Sequence, residues 1–212
     1  MNYLKMDLMW DFINKVVIIN YGLGNIQSIT NACRAIEDDV IVSNDPKIIL
    51  EAELLILPGV GAFPKAMENL ENSKLTEIIK IKANKGHLIL GICLGFQLLF
   101  ESSNENFHCK GLSLIEGNVE KLPSNLTVPN MGWKKVHFRN FEEIFSNEYY
   151  YFIHSFYAKP KNNLDILCTS NYGGFEFCTG VRNKNIIGLQ FHPEKSGPKG
   201  LELLKSLIKN GK

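Results

Sequence analysis

The chain has 212 residues, of which 45% are hydrophobic, and its formal net charge at pH 7 is +1. This length and apolar content suffice for one sizeable core. Positive and negative charges are interspersed, which excludes a basic surface for binding nucleic acid or an anionic membrane. The five cysteines show neither a CxxC motif nor the spacing of metal ligands. We therefore expect a reduced, cytosolic protein with no metal site and no cofactor.

The first 15 residues do not have the composition of a targeting signal. Charged residues interrupt the apolar run that a signal peptide or a membrane span requires. Leu4, Leu8 and Phe12 repeat at the spacing of a short amphipathic helix. We expect residues 1–15 to be an N-terminal extension and residues 16–212 to form a single domain.

Short apolar runs alternate with helical periodicity in the first half of the chain. Residues 16–20, 40–42 and 54–57 are β-branched or leucine-rich runs, and residues 63–85 have the periodicity of one or two amphipathic helices. The G-x-G after the first run lacks the third glycine of a dinucleotide fingerprint. This alternation predicts an α/β fold with a mostly parallel sheet sandwiched by helices, and ligands at the carboxyl ends of its strands.

The second half changes to short strand candidates separated by turn residues. We expect these strands to form an added antiparallel β portion, followed by a helix over residues 199–209. The candidate strands are residues 112–122, 135–138, 149–153, 166–170, 175–181 and 186–191.

The segment Gly91-Ile92-Cys93-Leu94-Gly95 joins a buried strand to a helical pattern. Glycines two residues before and after a cysteine permit the sharp bend of a nucleophile elbow, where close backbone approach leaves no room for Cβ atoms. The first N–H groups of the following helix favour the thiolate, which is the attacking species. The alternative is that Cys93 is a small buried hydrophobe.

Two further segments supply what such a cysteine needs. His192 follows an apolar strand and precedes Glu194, which predicts a base with a carboxylate that orients it. His154 also ends a strand and is the rival base. The loop over residues 58–63 carries two glycines after a buried strand, which indicates either an oxyanion hole or an ordinary turn.

The motifs G-x-C-x-G-x-Q, P-G-V-G and F-H-P-E, in that order, resemble the class I, triad-type glutamine amidotransferases, whose fold is flavodoxin-like. The resemblance implies attack of a cysteine on the glutamine side-chain amide, a glutamyl thioester, and release of ammonia and glutamate. It implies Cys93 as nucleophile, His192 as general base and acid, and Glu194 as its orienting carboxylate. The residues that it implies for the oxyanion and for glutamine binding are Gly59, Val60, Gly61 and Gln97.

Three other blocks, Y-G-L-G-N, M-G-W and Y-F-I-H-S, look like the amidotransferase subunit of imidazole glycerol phosphate synthase. That resemblance implies a heterodimer with a (β/α)₈ cyclase subunit, through which ammonia passes to make imidazole glycerol phosphate and aminoimidazole carboxamide ribotide in histidine biosynthesis. Interface or gating roles are implied for Asn25, Trp133, Tyr151 and Lys195. Because hydrolysis without a destination for the ammonia is wasteful, we expect rearrangement of the Gly59-Val60 peptide on docking to switch the activity.

One departure bears on the partner. This chain has Asn130 and Lys134 where the family usually has histidine and asparagine, near the expected interface. The alternative function is therefore a paralogous glutaminase that supplies ammonia to a sugar amidotransferase in acetamidino-sugar synthesis. A non-catalytic scaffolding subunit is opposed by the presence of Cys93, His192 and Glu194, and a peptidase is disfavoured by Gln97 and by F-H-P-E.

Overall fold

A computed structural model describes residues 15–37, 39–139 and 141–210 of the chain. The amphipathic helix expected around Leu4, Leu8 and Phe12 lies outside these residues. Among the helices so described, none is long and apolar enough to cross a membrane. The helices are α1 (Ile26–Arg34), α2 (Pro46–Glu51), α3 (Phe63–Asn72), α4 (Leu75–Asn84), α5 (Leu94–Leu98) and α6 (Gly197–Asn210), with short 3-10 helices at Glu143–Phe145, Asn163–Asp165 and Pro193–Lys195.

The strands of these residues belong to one mixed sheet. They are β1 (Val16–Ile19), β2 (Val40–Ser43), β3 (Leu54–Leu57), β4 (Leu88–Ile92), β5 (Ser102–Ser103), β6 (Cys109–Lys110), β7 (Gly117–Lys121), β8 (Asn130–Phe138), β9 (Glu148–His154), β10 (Phe156–Pro160), β11 (Ile166–Tyr172), β12 (Phe175–Asn183) and β13 (Ile186–Leu189).

The centre of the molecule is a parallel sheet in the order β2-β1-β3-β4-β13. Alternate side chains of a strand point to opposite faces. Val17 and Leu55 pack in the cluster that includes residues of α2 to α5, whereas Ile18 and Ile56 pack in the cluster that includes residues of α1 and α6. Because helices cover both faces, the strands are apolar throughout. The predicted α/β fold with a mostly parallel sheet is confirmed.

The second half extends this sheet with antiparallel strands, as the sequence predicts, except for its last strand. β12 pairs antiparallel with β13, β10 and β11, while β8 pairs antiparallel with β11 and β9. β13 was expected in the antiparallel portion, but it pairs parallel with β4. Its run Ile186-Ile187-Gly188-Leu189 is fully buried, which is typical of an inner strand of a parallel sheet.

The strand expected over residues 112–122 is only half formed. The strand β7 covers Gly117–Lys121, and the apolar residues before it close the end of α5 instead. Leu112 N donates to Leu98 O at 2.9 Å, and Ile115 N donates to Leu99 O at 3.0 Å. The apolar run was interpreted as strand, but its backbone is used to satisfy carbonyl groups that the short helix leaves unpaired.

Parallel pairing sends the carboxyl ends of β1, β3, β4 and β13 to one edge of the sheet. Asn20, Pro58, Cys93 and Gln190 are the first residues after these four strands. The segments that the sequence singled out for chemistry therefore meet at the same edge, which is where ligands bind in such sheets.

Candidate active site

Cys93 lies at a sharp turn between β4 and α5, with φ 56° and ψ −107°. A positive φ is costly for a residue with a side chain, and it is the backbone conformation of a nucleophile elbow. A Cβ atom on Gly91 would lie 2.7 Å from Gly95 O, and one on Gly95 would overlap the carbonyl of Leu57. The two glycines are thus required by backbone packing at the turn.

His192 and Glu194 lie beside this turn, at the end of the segment that follows β13. His192 Nδ1 and Glu194 Oε1 are 2.8 Å apart, and the two side chains are 3% and 4% exposed. Burial lowers the pKa of His192, but the Cys93 thiol and the Glu194 carboxylate raise it, with a net rise to about 10. His192 Nε2 makes no hydrogen bond of ordinary geometry to the described residues, so it is available to the thiol.

The backbone of His192 is fixed to β9 through Ser196, a residue that the sequence interpretation missed. Ser196 Oγ accepts a hydrogen bond from Tyr151 N at 2.9 Å and donates one to His192 O at 2.6 Å. His192 N in turn donates to Tyr151 O at 2.9 Å. These three bonds hold the imidazole in register with the neighbouring strand. The only sequence signal for Ser196 is its position two residues after Glu194.

The rival histidine, His154, has both ring nitrogens engaged. Its Nδ1 donates to Phe156 O at 2.8 Å, and its Nε2 accepts from Asn130 Nδ2 at 2.9 Å. Burial lowers the pKa of His154 to about 4, against the opposing effect of the Phe156 carbonyl. A neutral ring with both nitrogens occupied does not take a proton from a thiol.

Asn130, the first departure from the family pattern, does not reach the surface. Its side chain is completely buried against His154, because its register position in β8 is directly opposite that of His154 in β9. Its Oδ1 has no hydrogen-bond partner among the described residues. Lys134, the second departure, is half-buried, with its ammonium 5.2 Å from the centre of the Tyr172 ring.

A cavity of about 260 Å³ opens at Cys93. Val60, Gly61 and Gln97 line it together with Glu105, which the sequence interpretation missed. Glu105 Oε2 accepts a hydrogen bond from Phe63 N at 2.7 Å, so its carboxylate is anchored at the start of α3. The pocket therefore combines a thiol with one fixed negative charge.

Gln97 is joined to the cysteine through a second buried amide. Gln97 Nε2 donates to Phe156 O at 3.0 Å and to Gln190 Oε1 at 2.9 Å, and Gln190 Nε2 is 3.9 Å from Cys93 Sγ. Both amide hydrogens of Gln97 are engaged, so it presents its carbonyl oxygen as an acceptor. Gln190 was missed as well, although a glutamine that ends a buried apolar run is itself a signal.

The loop after β3 places a carbonyl where an oxyanion hole requires a donor. Leu94 N, the N–H that follows the nucleophile, donates to Gly59 O at 3.4 Å. The peptide between Gly59 and Val60 is trans, so the Val60 N–H points away from Leu94. In this conformation neither the Leu94 N–H nor the Val60 N–H is available to bind an oxyanion in the pocket.

The four residues assigned to interface or gating do not line the cavity at Cys93. Asn25 is exposed and caps α1 by accepting from Ser28 N at 3.3 Å. Trp133 is 51% exposed and meets Tyr151 edge-on, with 6.1 Å between ring centres. Tyr151 is the strand residue whose backbone binds His192, and Lys195 follows Glu194 in the 3-10 helix Pro193–Lys195.

The family described as Glutamine amidotransferase class-I matches residues 17–210 of this chain. The chain is 41% identical over 197 residues to the imidazole glycerol phosphate synthase subunit HisH of Aquifex aeolicus, covering 91% of this chain and 95% of that protein. It is 45% identical over 195 residues to the subunit of the same name from Listeria monocytogenes serotype 4b, covering 90% and 93%. A crystal structure of glutamine amidotransferase has the same fold, with a TM-score of 0.73 at 15% identity over 91% of this chain and 97% of that one.

These matches span nearly the whole of the described chain. The chain therefore belongs to the class I glutamine amidotransferases and, among them, to the HisH subunits of imidazole glycerol phosphate synthase.

Proposed function

We propose that this chain hydrolyses L-glutamine to glutamate and ammonia and delivers the ammonia to a cyclase partner within imidazole glycerol phosphate synthase, in histidine biosynthesis. The observation that carries the proposal is the combination of Cys93 at a strained elbow with a buried His192–Glu194 pair beside it. A buried base that is oriented by a carboxylate and adjoins a cysteine is the arrangement that activates a thiol for acyl transfer.

In the proposed reaction, His192 Nε2 holds the proton of the Cys93 thiol, in keeping with its raised pKa, and Sγ attacks the side-chain carbonyl carbon of glutamine as the thiolate. The protonated imidazole then gives its proton to the departing nitrogen, and ammonia leaves as the thioester forms. Water, deprotonated by the same imidazole, cleaves the thioester to glutamate and restores the thiol. Glu194 stabilises the positive charge on the ring in both halves of the cycle, since their carboxylate–imidazole distance is 2.8 Å.

Glutamine recognition is assigned to acceptors in the pocket. The Glu105 carboxylate and the Gln97 carbonyl oxygen suit the α-ammonium group, which has three donors and no acceptor. Gly61 lines the same cavity without a side chain, which leaves room for the substrate near the nucleophile.

The oxyanion of the tetrahedral intermediate is assigned to the N–H groups of Val60 and Leu94. Rotation of the peptide that joins Gly59 to Val60 would remove its carbonyl from Leu94 and turn the Val60 N–H toward Cys93. One rotation therefore supplies two donors, each of which is worth a large factor in kcat. We propose that docking of the partner favours the rotated conformation, so that glutamine is hydrolysed when the ammonia has a destination.

The partner is proposed to be the (β/α)₈ cyclase subunit, bound over the mouth of the site as a heterodimer. Apolar side chains are exposed on β8 and β9, including Met131 at 52%, Trp133 at 51% and Tyr149 at 54%, which supports an interface there. Asn25, Tyr151 and Lys195 are assigned to the same interface. The match over residues 17–210 supports a domain over residues 16–212, preceded by an extension over residues 1–15.

The test is glutamate release by this chain with and without the cyclase subunit of the same organism, in the presence of that subunit's ribulose-phosphate substrate. We expect strong stimulation by the cyclase, and we expect an electrophilic glutamine analogue to label Cys93. Cys109, a half-buried thiol on β6, provides the matched control, since Cys109→Ala should keep both stimulation and labelling. Labelling without stimulation would leave a glutaminase that serves another acceptor, such as a sugar amidotransferase. Absence of both would refute the proposal.

A further inference from the structure

Tyr21 connects the loop after β1 to the loop that carries the oxyanion donor. Its side chain is 3% exposed, and its hydroxyl donates to Pro58 O at 2.6 Å. Pro58 is the residue immediately before the Gly59–Val60 peptide, whose carbonyl occupies Leu94 N. The proposed chemistry does not use this hydroxyl.

The hydroxyl also restricts Gly59 directly. A Cβ atom on Gly59 would collide with the Tyr21 hydroxyl and would lie 3.0 Å from Leu94 Cβ. On a neighbouring side, a Cβ atom on Gly24 would lie 3.4 Å from Gly59 Cα. The Cα atom about which the peptide must turn is therefore enclosed by Tyr21, Leu94 and Gly24.

Tyr21 is itself held firmly and remains a donor. Asn69 Nδ2 of α3 donates to Tyr21 O at 3.0 Å, which ties its backbone to the helix that follows the oxyanion loop. Burial, and after it the nearby Cys93, raise the pKa of Tyr21 far above the neutral range. The hydroxyl therefore keeps its proton at neutral pH and remains a donor to Pro58 O.

We propose that Tyr21 is a positioning residue whose hydroxyl holds the oxyanion loop with the Gly59 carbonyl turned toward Leu94, and so keeps glutamine hydrolysis slow in the free chain. The inference rests on the proposed function, and it names the group that holds the oxyanion loop in its resting conformation. With Pro58 O anchored, rotation of the next peptide is confined to the bonds on either side of it, and Gly59 Cα cannot shift toward Tyr21 to ease the turn. Without the hydroxyl, the resting conformation loses a buried hydrogen bond and a steric stop.

The variant Tyr21→Phe tests this inference because it removes one oxygen and keeps the ring. We expect kcat for glutamine without the partner to rise about 5-fold, which is the size that loss of one neutral hydrogen bond produces. KM should not change, because an oxyanion donor acts in the transition state and not on bound glutamine. With the partner bound, kcat should stay within about 2-fold of the wild type, since the hydroxyl constrains the resting state.

The matched control is Tyr172→Phe, which removes a hydroxyl that also donates to a backbone carbonyl, Thr127 O at 2.8 Å, and which does not line the pocket. This variant should leave kcat unchanged with and without the partner. An unchanged or lowered kcat of free Tyr21→Phe, or a change confined to KM, would overturn the inference.

A second readout needs no turnover. Hydrogen exchange of the backbone amides of Val60, Gly61 and Leu94 should be faster in Tyr21→Phe than in Tyr172→Phe, because the loop leaves its resting conformation more often. Equal exchange rates would overturn the inference whether or not the chain hydrolyses glutamine. Failure of the wild-type chain to hydrolyse glutamine with its partner would instead overturn the proposed function.

Discussion

The elbow at Cys93 and the loop from Gly59 to Gly61 follow neighbouring strands and reach the same pocket, but they are held very differently. Cys93 is 6% exposed, and its N–H donates to Leu189 O at 2.8 Å. Val60, in contrast, is 38% exposed, and a Cβ atom on Gly61 would meet nothing within 4 Å. The elbow at Cys93 is enclosed by backbone on several sides, whereas the loop is open to solvent at Val60 and Gly61.

This difference separates two tasks of the site. The nucleophile is fixed by the packing of β4 between β3 and β13, so its position is set as soon as the sheet forms. One proposed oxyanion donor, the Val60 N–H, lies on an exposed loop, and the Gly59 carbonyl of that loop occupies the other proposed donor, the Leu94 N–H. On the proposed mechanism, turning one peptide switches the site, with no rearrangement of Cys93, His192 or Glu194.

The largest expected effect comes from removing the fixed nucleophile. Cys93→Ala should lower kcat for glutamine hydrolysis on the order of 10⁴-fold or more, because no other group forms the thioester. Association with the proposed cyclase partner should be retained, since Cys93 is buried and contributes little surface. Glutamate release and size-exclusion chromatography of the mixture check the two halves, and retained hydrolysis would show that Cys93 is not the nucleophile.

The next largest effect is expected from removing the negative charge of Glu194, which orients His192. Glu194→Gln should lower kcat on the order of 10³-fold, because the imidazolium loses its carboxylate and the amide permits the wrong tautomer of His192. KM should change little. Glu105→Gln is the matched comparison, since it removes a carboxylate of the same pocket and should raise KM through loss of the α-ammonium contact. A rise in KM alone for Glu194→Gln would contradict its role.

A pair of glycine substitutions tests the contrast in packing itself. Gly95→Ala should lower the free energy of unfolding by about 3 kcal/mol, because the added Cβ overlaps the Leu57 carbonyl of the adjacent strand. Gly61→Ala should cost only about 1 kcal/mol, the price of its φ of +113°, since its surroundings are empty. Urea unfolding monitored by circular dichroism measures both. Equal losses would mean that the loop is packed as tightly as the elbow.

A further expected effect, smaller than that of Gly95→Ala, concerns the pH dependence of His154. Its pKa is lowered to about 4 by burial in the folded protein, so the unfolded chain binds a proton at a higher pH than the folded chain does. This residue therefore costs no stability at pH 7, and its cost grows as the pH falls from about 6.5 to about 4. Relative to His154→Gln, the wild type should lose about 2 kcal/mol between pH 7 and pH 5. An unchanged difference would place a charged or exposed ring at this position.

Sequence reasoning reached the parallel sheet and the elbow because both leave local signals. A run such as Leu54-Leu55-Ile56-Leu57 is unmistakably a buried strand, and two glycines around a cysteine indicate a sharp turn. The parallel pairing of β13 with β4 leaves no local signal, since its partner lies 97 residues away along the chain, as from Ile89 to Ile186. Such a pairing depends on how the intervening strands fill the sheet.

Several site residues were not predicted from the sequence for the same reason. Glu105, Gln190 and Ser196 act through contacts with Phe63, Gln97 and Tyr151 that only the folded chain brings together. Asn130 was noted only as a departure from the family pattern, and its buried contact with His154 depends on strand alternation and on the pairing of β8 with β9. Sequence patterns identify groups that are reactive in themselves, and they do not identify those that act through a distant neighbour.

The most direct test of this account compares two rates at Cys93, with and without the cyclase partner. Alkylation of Cys93 by a small haloacetamide needs the thiolate but no oxyanion hole, whereas glutamine hydrolysis needs both. We predict that the partner raises kcat for glutamine strongly and changes the alkylation rate by less than about 2-fold. An alkylation rate that rises in step with kcat would show that the nucleophile itself is switched, and would contradict the division between a fixed thiol and a movable oxyanion donor.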